Sequence, residues 1–341
     1  MRAAFRAQAH WGEKLASPWT ALLCATLAER LDDSSRIGRR LLTWPGDSAP
    51  EADNVPARLC AGLQYLALSG AAPAFAALYP PAPPPDPDCL WSALAPLLDD
   101  ERLSPWLDNP PQTNEPGRSA ILYSGMLVLA ERFRLPLRLF ELGSSAGLNL
   151  VPDRYRYQLG GLRFGDPASP LLLAPRWTGA PPPKAMVEIV ARAGVDLKPG
   201  NAARDGDKLL AYVWPGHDER RERLERAIAV AAVDPPMVEQ GEAAAWLETV
   251  LPLAPTAGAV RVVMHSVAFQ YFPAATQQRI VSLLEEVGSR AQPHEPLAWL
   301  RFEWEQSRLT IWPGGEELHL AHADPHGGWI DWLIGSGPDR P

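Results

Sequence analysis

Cysteine, lysine and long apolar runs are all scarce in this chain. The three cysteines, Cys24, Cys60 and Cys89, are odd in number and far apart. They form no Cys-x-x-Cys pair, which excludes a disulfide framework or a zinc ribbon and leaves them as small buried apolar residues. No apolar run approaches the roughly 18 residues of a membrane helix. The first residues, MRAAFRAQAHWGEKLASPW, lack the apolar core of a signal peptide, so the expected location is the cytosol. Positive charge is also in deficit: 32 Lys and Arg against 40 Asp and Glu leave a net charge of −8. Such a balance argues against broad nucleic-acid affinity, which needs a basic surface. Only four of the basic residues are lysine, a bias that goes with the 37 prolines and points to GC-rich coding rather than to function.

What is present, 46% hydrophobic and 21% charged residues over 341 positions, suits a soluble globular chain of one large or two modest domains. Residues 1–79 read as helices, with Leu22, Leu23, Leu27 and Leu31 on one face and Leu59, Leu63, Leu66 and Leu68 in a second apolar run. Residues 80–87 form a stiff proline-rich connector. No period-two strand is visible before residue 135. A helix is expected from Pro116, with Leu122, Met126, Leu129 and Phe133 inward and Pro136 ending it.

From residue 137 strands and helices alternate. Strands are expected over 137–142, 186–195, 237–240 and 259–264. Between them lie helices over 217–232, through Trp246, Leu247 and Val250, and around Ile280, Leu283, Leu284 and Val287. The pairs Glu219–Arg223 and Glu222–Arg226 make the first of these a solvated charged face. Late strands over 297–302, 308–312 and 317–320 follow, with Pro313-Gly314-Gly315 as a hairpin turn. Residues 155–185 break the alternation and read as an inserted hairpin and loop. The expected architecture is a helical N-terminal domain over 1–112 and an α/β domain over 113–341, a doubly wound Rossmann sheet with an antiparallel C-terminal edge.

The most informative segment is Glu141-Leu142-Gly143-Ser144-Ser145-Ala146-Gly147-Leu148-Asn149. An apolar strand, a small-residue turn and an expected helix make a ligand loop, because small residues let a backbone approach a ligand closely. The turn lacks Gly-x-Gly-x-x-Gly but fits acidic-x-Gly-x-small-x-Gly, with Ser145 at the middle position. This pattern resembles the first motif of S-adenosylmethionine-dependent methyltransferases. The resemblance implies that Glu141, Gly143, Ser144, Ser145, Gly147 and Asn149 bind the cofactor. It also implies that Asp196 holds the ribose and Glu242, in Gln240-Gly241-Glu242-Ala243, the adenine. The fourth strand then ends in Met264-His265-Ser266, facing the transferred methyl group.

A second resemblance covers almost the whole chain. The segments Thr113-Asn114-Glu115-Pro116-Gly117-Arg118-Ser119-Ala120, Asp153-Arg154-Tyr155-Arg156-Tyr157, Val213-Trp214-Pro215, Ile311-Trp312-Pro313-Gly314-Gly315 and Pro325-His326-Gly327, with the two above, resemble the bacterial domain-of-unknown-function family 2332. That family is similar to the methyltransferase-type Rossmann fold. The implied function is an S-adenosylmethionine-binding protein, a methyltransferase for a small-molecule acceptor, with no nucleic-acid or membrane partner. His265 is the candidate general base, expected to project into the crevice beside the 143–147 turn. Asn114, Glu115, Arg118, Ser266 and Tyr271 are the candidate acceptor-binding residues.

Two other classes fit parts of the pattern. Gly143-Ser144-Ser145-Ala146-Gly147 also satisfies Gly-x-Ser-x-Gly, which would make Ser145 a hydrolase nucleophile with His322 or His326 downstream. That elbow needs strands before it. A non-catalytic module that keeps the fold is the third class. Asn109-Pro110-Pro111-Gln112 and Asp234-Pro235-Pro236-Met237 read as turns. His319, His322 and His326 lack the spacing of a metal site, and no metal is expected.

Overall fold

The computed structural model describes residues 1–254 and 257–335; residues 336–341, the end of the expected second domain, lie outside the described residues. The chain divides into two compact units, residues 1–113 with 205–222, and 114–204 with 223 onward. The stretch 205–222 thus belongs with the N-terminal helices, whereas its sequence placed it in the second domain.

The first unit is helical. Its main helices are α1 (Arg2–Lys14), α2 (Pro18–Arg30), α3 (Arg36–Leu42) and α4 (Val55–Leu68). Shorter ones follow: α5 (Pro73–Ala76), α6 (Pro87–Leu94) and α7 (Ser104–Leu107). Ser35 and Asp86 cap α3 and α6 by accepting backbone N–H bonds, the usual start signal for a helix. Leu23, Leu27 and Leu31 are buried against Leu59, Leu63 and Phe5 in one core. Each such side chain is worth roughly 1.5–3 kcal/mol of burial. Cys24 and Cys60 are free buried thiols with their sulfurs 3.6 Å apart, and Cys89 is exposed.

The second unit is built on a nine-stranded, mostly parallel sheet. Helix α8 (Arg118–Phe133) leads into β1 (Leu137–Leu142). The insertion holds β2 (Arg156–Leu159), β3 (Leu162–Gly165), β4 (Leu172–Leu173) and β5 (Arg176–Thr178). Then come β6 (Ile189–Asp196) and β7 (Val238–Gln240), and between them α9 (Ala202–Leu210) and α10 (Asp218–Val233), of which residues 205–210 and 218–222 count with the first unit. Helix α11 (Ala243–Leu253), β8 (Val260–Ser266), α12 (Ala274–Ser289) and β9 (Leu297–Glu303) follow. Strands β10 (Gln306–Trp312), β11 (Glu316–Ala323) and β12 (Trp329–Trp332) complete the sheet.

The strand order is β5-β12-β11-β10-β9-β8-β1-β6-β7. Strands β7, β6, β1, β8 and β9 are parallel, while β9 to β12 pair antiparallel. The far edge is not one of the late strands. It is β5 of the insertion, parallel to β12, while β2, β3 and β4 form a separate small sheet. Central strands β1 and β8 are covered on both faces, which is why their sequences read as nearly continuous apolar runs. Phe140, Leu142, Val195, Val263 and Trp299 meet α11 and α12 on one face, and α8 packs on β8, β9 and β10.

Candidate functional site

In this sheet the direction of strand progression reverses between β1 and β8, and all five parallel strands end at the same side. Ligands of open α/β sheets bind at that kind of crevice. The backbone is unusual there. Among the described residues of the second unit, the non-glycine ones with positive φ are Arg134, Ser145, Val267, Trp304 and Glu305, with φ of 52°, 53°, 50°, 46° and 63°. Arg134 is an ordinary left-handed helix end after α8. The other four all sit in the loops at the carboxyl end of the parallel strands. A β-branched residue such as Val267 is a real outlier in this region, and such strain concentrates at functional sites.

The glycine turn closes this end. Gly143 and Gly147 have φ of 69° and 74°, which glycine alone adopts without strain. The expected helix after the turn is absent: residues 143–151 are turns, followed by a short 3-10 segment, Pro152–Arg154. The reason is that side chains take the backbone groups a helix would pair internally. Leu148 N donates to Asn114 Oδ1 at 2.9 Å, and Tyr155 Oη donates to Leu148 O at 2.6 Å. Arg192 donates to Leu150 O at 2.9 Å and grips Asp153 through both nitrogens at 2.7 Å, while Ser119 Oγ donates to Asn149 Oδ1 at 2.7 Å. Gly143 N and Ser144 N both donate to Val195 O. The turn therefore has no helix N-terminus to offer a ligand.

Glu141 lies under this loop. It pairs in register with Met264 of β8 and Gly194 of β6, and a Cβ on Gly194 would fall 2.3 Å from Ser144 Oγ. The Glu141 side chain is buried, and its Oε2 has no hydrogen-bond partner. Burial pushes its carboxyl up to about 8; Asp196 adds to the shift, while Ser144 and Arg118 oppose it. Asp196 reaches the same turn from β6, accepting from Ser145 N at 2.8 Å and from Lys198 N at 2.9 Å. Glu242 is differently employed. Its carboxylate caps α11 through Ala244 N and Ala245 N and pairs with Arg279, so a role toward an adenine ring would compete with the cap.

His265 does not project into the crevice as expected. Strand alternation puts it on the face opposite Glu141, since Glu141 pairs with Met264. Its ring is 0% exposed, stacked on Phe269 at 4.9 Å. His265 Nδ1 bonds Glu303 Oε1 at 2.7 Å, and the same oxygen accepts from Ala268 N at 3.0 Å and Phe269 N at 3.1 Å. Burial raises the Glu303 carboxyl, but its hydrogen bonds from His265, Ala268 and Phe269 outweigh that and hold it below the usual range. Phe272 lies beside Gly143, since a Cβ there would come 3.7 Å from its ring. The loop after β8 thus stands between the glycine turn and His265, whose ring is held by Glu303, Phe269 and Trp299.

The acceptor-binding candidates serve mostly as ties. Glu115 Oε1 accepts from Gly117 N and from Arg223 Nε, both at 3.0 Å, and Arg223 also donates to His326 O at 2.8 Å. Arg118 donates to Ser266 O at 3.1 Å and Pro325 O at 2.9 Å. These bonds bring the 113–120, 264–266 and 325–327 segments together. Ser266 is buried, whereas Tyr271 is 65% exposed. Sequence reasoning missed Glu303, whose partners lie more than 30 residues away, and Arg223, which sat within an apparently solvated charge run. The hydrolase elbow lacks its helix, and Ser145 Oγ is buried without a partner. Among the described residues no group of three or more His, Cys, Asp and Glu is placed to hold a metal ion, and no helix is long and apolar enough to cross a membrane.

This is an α/β protein whose strained loops and buried acidic groups converge at one end of its sheet. The chain belongs to the family described as uncharacterized protein conserved in bacteria (DUF2332), whose model matches residues 2–332. No curated protein and no solved structure matches it.

Proposed function

We propose that the protein binds S-adenosylmethionine at the carboxyl end of β1 and β6 and transfers its methyl group to a small-molecule acceptor. The observation that carries this reading is the meeting of Glu141 and Asp196 beneath one glycine turn, at the point where a Rossmann-like order of five parallel strands reverses. The buried Glu141 Oε2 without a partner fits a ligand ammonium group, and Asp196 retains lone pairs for ribose hydroxyls. When bound, the cofactor supplies a methyl group on a sulfonium, open to in-line displacement by a nucleophile. The chain's part is to hold donor and acceptor in line, which supplies much of the rate in such a reaction. With His265 sealed beneath Phe269, an acceptor that is already unprotonated needs no base from the chain.

The test is a calorimetric and thermal-shift titration of the purified protein with S-adenosylmethionine and with S-adenosylhomocysteine. Both should bind, and Asp196→Ala should weaken binding by about 1–3 kcal/mol. Absence of heat and of any thermal shift at millimolar cofactor overturns the reading.

A further inference from the structure

The hairpin between β9 and β10 is tight: Glu303 pairs with Gln306, leaving Trp304 and Glu305 as the two turn residues. Both have positive φ, the pattern of a turn that Asn-Gly fills without strain. A tryptophan in that position is conformationally unfavourable, and this one buries little: it is 72% exposed. Neither local propensity nor core packing accounts for it. Its neighbourhood does. Glu303 immediately precedes Trp304 and ties the backbone of Ala268 and Phe269, so the segment carrying Tyr271 is fastened to the base of the same hairpin. Tyr271, 65% exposed, follows Val267, another strained position of this end. Two large exposed rings thus stand on two strained loops joined by one carboxylate. On the residues that hold these loops, Glu303 Oε2 and His265 Nε2 are buried polar atoms with no partner.

We infer that Tyr271 and Trp304 form the acceptor platform, and that the acceptor is a planar aromatic compound, uncharged or positively charged. Rings of this kind stack on tyrosine and tryptophan, and a cation gains further from the aromatic faces. The charge preference follows from exposed Glu305 beside Trp304 and from the chain's net charge of −8. The inference deepens the methyltransferase reading and rests on it for the word acceptor.

The experiment measures the binding of indole, tryptamine, indoleacetate and cyclohexylamine by ligand-observed NMR, with and without saturating S-adenosylhomocysteine. The proteins are wild type, Trp304→Asn and Tyr271→Ala. Indole and tryptamine should bind the wild type at millimolar concentration, with indoleacetate and cyclohexylamine clearly weaker. Each variant should lose about tenfold in indole affinity. Affinity for S-adenosylhomocysteine should stay within about twofold, and Trp304→Asn should melt no lower than wild type. If S-adenosylhomocysteine does not bind but indole binding is lost in both variants, the platform stands and the cofactor reading fails. If S-adenosylhomocysteine binds while indole binds wild type and variants alike, or binds none of them, the platform is overturned and the cofactor reading stands. Dissociation of a dimer by Trp304→Asn, seen by sedimentation, would assign Trp304 to a contact between copies and also overturn it.

Discussion

Strand β10 has a turn at each end, and the two are built on opposite terms. At the amino side of the parallel strands, Pro313-Gly314-Gly315 turns the chain with glycines at φ of 104° and 66°, and Gly314 has no atom near its missing Cβ. At the carboxyl side, Trp304 and Glu305 do the same work with side chains that disfavour it. One turn follows local conformational preference and the other defies it. Ser145 and Val267 repeat the second case on neighbouring loops. The difference teaches that the carboxyl end was not shaped for stability alone, because glycine was evidently acceptable elsewhere in the same sheet.

The contrast can be broken most forcefully at Glu303. Glu303→Ala removes the acceptor of three hydrogen bonds and should cost about 3–5 kcal/mol in urea unfolding. Because the Glu303 carboxyl is held low in the fold, its contribution is present above the unfolded value of about 4.3 and disappears as pH falls through the folded value. Wild-type stability should therefore fall more steeply in acid than that of Glu303→Gln. Equal acid slopes would show that the tie is not ionic.

Glu141 has the opposite sign. Its folded value of about 8 lies above the unfolded one, so the native state binds the extra proton and stability declines as pH rises between the two. Glu141→Gln should be more stable than wild type by about 2–4 kcal/mol near pH 9, with the difference vanishing near pH 4. The same substitution should weaken S-adenosylhomocysteine binding. A variant that gains no stability in alkali would mean that Glu141 is charged and paired in solution.

Smaller effects test the turns themselves. Gly314→Ala should lose about 1–2 kcal/mol, since alanine resists its φ. Glu305→Gly should gain about 1 kcal/mol, and Ser145→Gly slightly less. Ser145→Gly should also retain cofactor affinity, since its contact to Asp196 is made by the backbone. If glycine destabilises at 305 and 145 as well, the two ends of the sheet are alike and the contrast is lost.

The sequence made the parts legible wherever the signal was local. The Pro313-Gly314-Gly315 turn, the apolar runs of β1 and β8 and the helices around Trp246 and Ile280 were read from neighbouring residues, and each lies where expected. Failures came where distant side chains decided. The helix expected after Gly147 gave way to turns because Asn114, Tyr155 and Arg192 capture the backbone of 148–150. The sheet edge came from β5, which pairs with a strand more than 150 residues later. At the candidate site, Glu141 and Asp196 were visible as acidic strand ends. The sealing of His265 was not, because Phe269 and Glu303 reach it from other elements.

The most direct measurement is hydrogen exchange of the backbone amides with and without S-adenosylhomocysteine. A ligand held by Glu141 and Asp196 should slow exchange in peptides covering 143–150 and 196–200, and leave the 313–315 turn unchanged. Protection elsewhere in the chain, or none at saturating ligand, would contradict the claim that the strained carboxyl end of the sheet is the binding site.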